Sequence, residues 1–193
     1  MKVEAPGGAK EILLHACCAP CSGAVLECLR DSGIRPVVFF SNSNIAPREE
    51  YDLRLAELRR YGAVMGVEVV EDEYAHEAWL EAVRGLEREP ERGRRCEACF
   101  RFRLGRAAAY AQSRGLPVLA TTLASSRWKD LDQVNAAGQA ACSGSSELPP
   151  AQQAVFFWPQ NWRKGGLQER RNEVIREQGF YNQTWCGCEF SKR

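Results

Sequence analysis

The sequence predicts an α/β domain in which a mostly parallel sheet is flanked by helices, an arrangement that is Rossmann-like and HUP-like. Apolar runs of strand length alternate with amphipathic segments of helical periodicity. The 193 residues suit one domain, and 45% hydrophobic residues suffice to bury a core. We see no repeat and no domain linker, so a single domain spans residues 1–193. A less regular α/β domain is the alternative.

Five strands and six helices are predicted in alternation. The strands are 12–16, 37–41, 67–71, 118–122 and 155–158. The helices are 22–30, 48–63, 76–85, 97–114, 130–141 and a last one that starts at Gly165-Gly166 and runs to about Gln178, and 143–152 is a loop. Because ligands of such folds gather beyond the carboxyl ends of the strands, the segment after the first strand is a candidate site.

Several classes of protein are disfavoured by composition. No apolar run is long enough to cross a bilayer, and residues 1–10 lack the apolar stretch of a signal peptide. We therefore expect a cytoplasmic protein without a membrane partner. The net charge of +1 indicates no general affinity for nucleic acid. The glycine motifs of dinucleotide and ATP sites are absent, so a redox reaction would need an external electron donor.

The cysteines are the unusual feature of this chain. There are nine, and disulfides do not persist in a reducing compartment. Cys28 and Cys142 stand apart and are predicted to be small buried residues. The other seven form three clusters, namely Cys17-Cys18-Ala-Pro-Cys21, Cys96-Glu-Ala-Cys99 and Cys186-Gly-Cys188. Clustered thiols of this kind indicate metal or redox chemistry.

The spacing within each cluster suggests how its thiols act. Cys96 and Cys99 form a C-x2-C pair, which grips one zinc ion or one iron–sulfur cluster. The helix start and the nearby arginines 94, 95 and 101 are expected to lower the thiol pKa. Cys17 and Cys18 are adjacent, so in extended chain their side chains diverge. Seven thiols therefore suggest one four-thiolate site beside either a second, incompletely ligated metal or a reactive pair.

Other residues leave two interpretations open. The stretches 84–106 and 163–176 are locally basic and are either solvated faces or phosphate contacts. His15 is either a hydrogen-bond donor to a nearby sulfur or a buried structural histidine. Late in the chain, aromatic residues are mostly expected in the core, although one or two could stack on an unpaired base, namely Phe156, Phe157, Trp158, Trp162, Tyr181 and Trp185.

Several motifs, in order along nearly the whole chain, resemble the cobalamin-independent epoxyqueuosine reductases of the QueH type. They are Leu13-Leu-His-Ala-Cys-Cys-Ala-Pro-Cys21, Asn42 to Ile45 with Pro47 and Glu49-Glu50-Tyr51, Arg94-Arg-Cys-Glu-Ala-Cys-Phe100, Thr121-Thr-Leu123, and Tyr181-x-Gln183-x-x-Cys186-Gly-Cys188. The resemblance implies reduction of epoxyqueuosine to queuosine at the wobble position of tRNA. It also implies a [4Fe-4S] cluster and an additional mononuclear iron that polarises the epoxide oxygen, without cobalamin.

If both the cluster and the second iron are present, the spacing and the number of the seven thiols suggest how they are divided between the two metals. The cluster is assigned Cys17, Cys96, Cys99 and Cys186. The second iron, with open positions for substrate, is assigned Cys18, Cys21 and Cys188 as the catalytic group. Exchanging Cys17 with Cys18, or Cys186 with Cys188, fits equally well. Cys21 is favoured as a ligand of the second iron, because some relatives have Asp at this position. The proton donor is left open among Lys129, Asp130 and Tyr181.

Two other functions remain open at this stage. A non-catalytic zinc-binding module that contacts RNA would use four thiolates and leave three idle. A thiol oxidoreductase would use Cys96 and Cys99 as a redox pair without metal. Iron with acid-labile sulfide in the anaerobically purified protein would separate the reductase from both.

Overall fold

The computed structural model describes residues 1–143 and 155–191. Its strands are β1 (Glu11–His15), β2 (Arg35–Phe40), β3 (Val69–Glu71), β4 (Val118–Thr121) and β5 (Phe156–Phe157). Its α-helices are α1 (Ala19–Asp31), α2 (Arg48–Met65), α3 (His76–Ala82), α4 (Arg94–Ser113), α5 (Leu131–Ser143) and α6 (Leu167–Gln178). Every predicted strand and helix is present, with bounds moved by a few residues. Of the predicted loop 143–152, Ser143 ends α5 and the remainder lies outside the described residues.

The five strands form one sheet in the order β3-β2-β1-β4-β5, and all their pairings are parallel. The prediction of an α/β domain with a parallel sheet is thereby confirmed. Helices cover both faces of the sheet, because successive side chains of a strand point to opposite sides. Leu13 and Phe39 pack with Ala107 of α4 on one face. Leu14 and Phe40 face α1, α2 and α6 on the other.

The order of the strands creates a crevice beside β1. From β1 the chain runs outward through β2 to β3, and then returns to place β4 on the other side of β1. Where a parallel sheet reverses its direction of growth in this way, the two adjacent loops separate beyond the carboxyl ends of the strands. His15 ends β1 and Thr121 ends β4. The segments that follow these two residues form the walls of the site described below.

Membrane-spanning helices were predicted to be absent. In the part of the chain that the structure describes, no helix combines the length and the apolar character needed to cross a bilayer.

Candidate metal centre

Three cysteines meet at the start of α1. The Sγ atoms of Cys17, Cys18 and Cys21, hereafter the triad, all lie within 4.8 Å of one another, and those of Cys17 and Cys18 are 3.7 Å apart. Cys18 is extended, with φ −179° and ψ 163°, and the helix begins at the next residue with Pro20 in its first turn. The prediction that Cys17 and Cys18 diverge is therefore wrong. The chain turns from strand into helix at this point, and the turn brings both sulfurs to one side.

Hydrogen bonds from three segments fix the triad in place. The Thr122 hydroxyl accepts a bond from the backbone N–H of Cys17 at 3.1 Å and donates to its Sγ at 3.6 Å. Ser22 donates to the carbonyl of Cys18 at 2.8 Å. Asn42, which follows β2, donates to the carbonyl of Ala16 at 2.9 Å. The three sulfurs are thus buried and held by the loops that follow β1, β2 and β4.

His15 is a buried structural residue and contacts no sulfur among the described residues. Its Nε2 lies 3.1 Å from the carbonyl of Ser41, which can only accept, so Nε2 carries the proton. Its Nδ1 therefore accepts from the hydroxyl of Thr121, 2.8 Å away. Burial lowers the pKa of His15 to about 3, so the ring stays neutral. Of the two roles left open by the sequence, the structural one applies, and Thr122 is the side chain that contacts the sulfur of Cys17.

The other four clustered cysteines line a cleft beside the triad. Cys96 and Cys99 come from the first turns of α4, whereas Cys186 and Cys188 come from the C-terminal segment. These four, hereafter the tetrad, line the cleft together with Asn44, Phe100 and Ser191. Cys96 also packs against the residues around the triad. The two groups of thiols therefore adjoin.

Arg54 of α2 holds the C-terminal half of the tetrad in place. Its guanidinium donates to the carbonyls of Cys186 at 3.2 Å and Trp185 at 3.3 Å, and it forms a buried ion pair with Glu50 at 2.6 Å. The adjacent Gly187 has φ 97°, a conformation that favours glycine, and a Cβ there would lie 2.7 Å from Ile45. The tetrad therefore depends on contacts between segments that are distant in sequence.

Three cations line the same cleft, namely Arg95, Arg103 and Lys129. Arg95 and Arg103 are buried, and within the described residues none of the three forms an ion pair with a carboxylate. Arg103 donates instead to the carbonyl of Ser41 and the side-chain oxygen of Asn42. A buried cation is costly unless an anion compensates it. Apart from the exposed Glu91 at the edge, the anions that this cleft can offer are thiolates.

One thiol in each group is favoured as the thiolate in the metal-free protein. Hydrogen bonds from the thiols of Cys18 and Cys21 lower the pKa of Cys17, and the same bond to Cys17 raises the pKa of Cys21 to about 12. In the tetrad, a hydrogen bond with Cys188 likewise lowers the pKa of Cys186. Burial lowers the pKa of Lys129, but the thiolates of Cys186 and Cys17 raise it and prevail, so this ammonium stays charged.

The expectation of a lowered pKa is wrong for Cys96. Burial raises the pKa of this thiol, even though the backbone N–H of Arg92 donates to its Sγ at 3.3 Å. Arg94 and Arg101 are exposed, and the guanidinium of Arg95 donates to backbone carbonyls of the preceding turn. The arginines next to the C-x2-C pair in sequence therefore do not offset the burial of Cys96.

Residues 12–193 match the family described as "Epoxyqueuosine reductase QueH". The chain belongs to this family. Relatives with that name are 41% identical in Histophilus somni and 41% identical in Haemophilus influenzae; both matches cover 100% of this chain and 76% of the relative. A relative of the same name in Thermotoga maritima is 32% identical over 93% of this chain and 89% of its own length. The predicted family and the prediction that the chain is an enzyme are confirmed, because the family is one of reductases.

The two remaining lone cysteines lie outside both groups. Cys28 lies on the buried face of α1, and its thiol donates to the carbonyl of Met1 at 3.4 Å. Cys142 is half-buried near the end of α5, where burial raises its pKa to about 11. Neither thiol belongs to the triad or lines the cleft of the tetrad, and the prediction of a small buried residue is confirmed for Cys28, whereas Cys142 is only half-buried.

The two basic stretches of this family member each contain paired and unpaired cations. Arg170 of α6 pairs with Glu27, Glu173 and Glu177 at 2.7 to 3.0 Å, so its donors are already engaged. Within residues 1–143 and 155–191 no ion pair is formed by Lys164 or by arginines 92, 94, 163, 171 and 176. Unpaired positive charge therefore lies both beside the cysteine cleft, at Arg92, and along α6.

The aromatic residues proposed for base stacking also separate by burial. Phe157, Trp158 and Trp162 are in the core, whereas Phe156 and Tyr181 are exposed. Sequence reasoning missed Trp128, whose side chain is 74% exposed in the loop after β4. The signal that could have found it is an aromatic residue between two cations, in the sequence Arg127-Trp-Lys129.

Of the three candidate proton donors, Lys129 lines the cleft. The carboxylate of Asp130 instead accepts the backbone N–H groups of Asp132 and Gln133 at 2.9 and 3.0 Å and caps α5. The hydroxyl of Tyr181 donates to Glu50 at 3.2 Å. Asp130 and Tyr181 are thus engaged in structural contacts, and neither is among the residues that line the cleft.

Proposed function

We propose that this chain reduces epoxyqueuosine to queuosine at the wobble position of tRNA, using a [4Fe-4S] cluster, an additional iron and an external electron donor, without cobalamin. The observation that carries the proposal is the meeting of all seven clustered cysteines in one crevice, as adjoining groups of three and four. Family membership supports the substrate. Because tRNA is a cytoplasmic substrate, we expect the reaction in the cytoplasm.

The donor set of the tetrad fits an iron–sulfur cluster. Four thiolates are the ligands of a four-iron cluster, and they stand at its corners, farther apart than the ligands of a single ion. The four cysteines line a cleft of suitable character, and the cations there lack carboxylate partners. Four thiolates outweigh the positive charge of such a cluster, so the bound group would be anionic. It would thus compensate Arg95, Arg103 and Lys129.

The triad fits a single metal ion. Its three sulfurs lie within 4.8 Å of one another, and they are the one such group of metal-ligand side chains found among the described residues. Three ligands leave a coordination position open, which is typical of catalytic metal sites. The grouping of the sulfurs therefore favours Cys17, Cys18 and Cys21 for the second iron, and Cys96, Cys99, Cys186 and Cys188 for the cluster. The division made from spacing assigned Cys17 to the cluster and Cys188 to the second iron, and the grouping of the sulfurs favours the reverse for these two residues.

The reaction consumes two electrons and two protons for each epoxide, whose oxygen leaves as water while a carbon–carbon double bond forms. The iron centres would supply the electrons and the Lewis acid that activates the oxygen. The protein would hold them at the correct spacing through Thr122, Ser22 and Arg54. Lys129 would place a charged donor where negative charge develops on the leaving oxygen, so we propose it as the proton donor.

The two other functions make different demands on the cysteines. A zinc-binding module would fill the tetrad and leave the buried triad without a role. A thiol oxidoreductase needs a reactive thiolate in the C-x2-C pair, whereas burial raises the pKa of Cys96. Neither accounts for both groups of cysteines. Metal analysis separates them from the reductase, because zinc alone, or no metal, would contradict a [4Fe-4S] enzyme.

The direct experiment is turnover. The protein is reconstituted with iron and sulfide under anaerobic conditions and incubated with epoxyqueuosine-bearing tRNA, dithionite and no cobalamin. Nucleoside mass spectrometry is expected to show loss of one oxygen and formation of queuosine, and the reconstituted protein is expected to hold about four sulfides and more than about four irons per chain. An iron-loaded protein that leaves epoxyqueuosine unchanged would refute the proposed activity.

A further inference from the structure

We propose that Trp128 is a stacking platform for an unpaired nucleotide that flanks the modified base in the anticodon loop of the tRNA. This inference deepens the proposed function and depends on it for the identity of the RNA. It is carried by the exposure of the ring, the rigidity of the turn that presents it, the positive charge around it and its place at the edge of the cysteine cleft.

The ring of Trp128 is exposed and has no stacking partner among the described residues. It is 74% exposed, the highest value among the large hydrophobic residues that are exposed, whereas Trp79 and Trp162 are fully buried. Within the described residues no aromatic ring or cation stacks on it. Tryptophan is enriched at binding interfaces, because it combines a large apolar ring with a polar N–H group.

The backbone that carries the ring is fixed. The guanidinium of Arg92 donates to the carbonyl of Trp128 at 3.1 Å and to that of Arg127 at 2.9 Å. Arg163 donates to the carbonyl of Lys129 at 2.8 Å. These bonds come from two distant segments and hold the turn on both sides. The backbone of the turn is therefore ordered before a ligand binds, so only the side chain of Trp128 has to lose conformational entropy.

The position of the turn relates the ring to the reaction site. Lys129, the next residue, lines the cleft of the tetrad, and the backbone N–H of Arg92 donates to the Sγ of Cys96. A nucleotide whose base enters the cleft would therefore place its neighbours near Trp128. Stacking suits these neighbours, because the bases of an anticodon loop are unpaired and their faces are accessible.

The charges around the ring favour nucleic acid over another protein as the partner. Arg127 is adjacent in sequence, and Arg92 and Arg163 contact the turn; none of the three pairs with a carboxylate in the described parts of the chain. An aromatic platform among unpaired cations is the combination that binds single-stranded nucleic acid, with the cations on the phosphates and the ring on a base. A docked protein would need carboxylates opposite all three.

The test measures binding of an anticodon stem-loop RNA that carries queuosine, the product, so that no turnover occurs. Trp128→Ala is expected to weaken binding about 10-fold and Trp128→Phe about 2-fold, since one stacked base is lost in the first and largely kept in the second. Phe156→Ala is the matched control, because Phe156 is 56% exposed but pairs with Val118 at the start of β4, whereas Trp128 follows the end of that strand. It is expected to bind like the unchanged protein.

Two further readouts make the result specific. The slope of log affinity against log salt is expected to stay the same in Trp128→Ala, because stacking releases no counterions, and to fall in Arg127→Gln. A 2-aminopurine in place of the nucleotide next to queuosine is expected to be quenched on binding to the unchanged protein but not to Trp128→Ala.

Failure of this inference is distinguishable from failure of the proposed function. If the unchanged protein reduces epoxyqueuosine and Trp128→Ala binds the stem-loop equally well, the platform is wrong and the enzyme assignment stands. If the unchanged protein neither binds the stem-loop nor reduces epoxyqueuosine, the proposed function fails first. Iron and sulfide contents, measured on every variant, are expected to be equal, and a loss in Trp128→Ala would also contradict the inference.

Discussion

The triad and the tetrad offer the same side chain for metal binding but are built in different ways. The thiols of the triad come from five consecutive residues at one strand-to-helix turn, which hydrogen bonds from Thr122 and Asn42 support. The tetrad joins the start of α4 to the C-terminal segment, and Arg54 of a third element holds the segment in place. The comparison teaches that the two groups respond differently to change. In the tetrad, the thiols themselves come from distant segments, whereas in the triad distant residues such as Thr122 only support thiols that are already brought together by one turn.

Thiol reactivity gives the largest expected contrast, between Cys186 in the tetrad and Cys142 outside both groups. Both are half-buried, but the hydrogen bond from Cys188 lowers the pKa of Cys186, and burial raises that of Cys142 to about 11. In metal-free protein, alkylation of Cys186 is expected to reach its plateau at a much lower pH than alkylation of Cys142. At Cys142 it is expected to rise about 10-fold per pH unit up to about 11, because the thiolate reacts. Mass spectrometry of iodoacetamide-treated protein measures both, and parallel pH profiles would contradict the assigned shifts.

Arg54→Met is expected to destabilise the fold by about 3 kcal/mol, because it removes the ionic partner of the half-buried carboxylate of Glu50, which keeps the hydrogen bond from Tyr181. It also removes two hydrogen bonds to the C-terminal segment, so the sulfide content is expected to fall. The control on the same helix is Arg59→Met, whose exposed ion pair with Glu71 is expected to contribute about 1 kcal/mol or less. Chemical denaturation measures both variants, and equal effects would mean that Arg54 does not hold the segment.

Gly187→Ala tests the close approach of the C-terminal segment to Ile45. Its positive φ of 97° and the 2.7 Å approach of a Cβ to Ile45 predict a loss of about 2 kcal/mol. Gly33→Ala shares a positive φ of 70° but meets nothing within 4 Å, so it reports the backbone strain alone. The unfolding free energies of the two variants give the contribution of the contact by difference. If Gly33→Ala costs as much, the contact is unimportant.

Arg103→Gln is expected to have the smallest effect, on the order of tens of millivolts in the reduction potential of the reconstituted cluster. Removing a buried cation disfavours the added electron, so the reduction potential falls. Arg103→Lys keeps the charge, and its potential is expected to lie between those of the unchanged protein and Arg103→Gln. Arg101→Gln, an exposed change on the same helix, is the control. A spectroscopic redox titration measures the shift, and an unchanged potential in Arg103→Gln would place its charge away from the cluster.

The sequence alone predicted the strands and helices because their apolar runs and helical periodicities are local signals. The parallel sheet followed from the alternation of those elements. The grouping of the sulfurs was not predictable, because it depends on a turn at Cys18 and on where Arg54 places Cys186. For the same reason Arg170 looked like a free cation in the sequence, although Glu27, 143 residues away, pairs with it. Contacts of this range carry no local pattern.

Trp128 is the opposite case, because a local sequence signal was present but did not show that the residue is exposed. Its sequence neighbours Arg127 and Lys129 give a usable local signal, but only the structure reveals that the ring is exposed beside the cleft. The aromatic residues late in the sequence gave a stronger local signal, yet Phe157, Trp158 and Trp162 lie in the core. Exposure is thus the property that separates a candidate stacking residue from a core residue.

The central claim is that the triad and the tetrad hold different metals, and the sulfide contents of Cys17→Ala and Cys188→Ala test it most directly. Cys21→Ala and Cys99→Ala serve as references for the two groups. After identical anaerobic reconstitution, Cys17→Ala and Cys21→Ala are expected to keep about four sulfides and the visible absorption of the cluster. Cys188→Ala and Cys99→Ala are expected to lose both. If Cys17→Ala is colourless and free of sulfide while Cys188→Ala keeps the cluster, the division by sulfur grouping is contradicted and the division by spacing is correct.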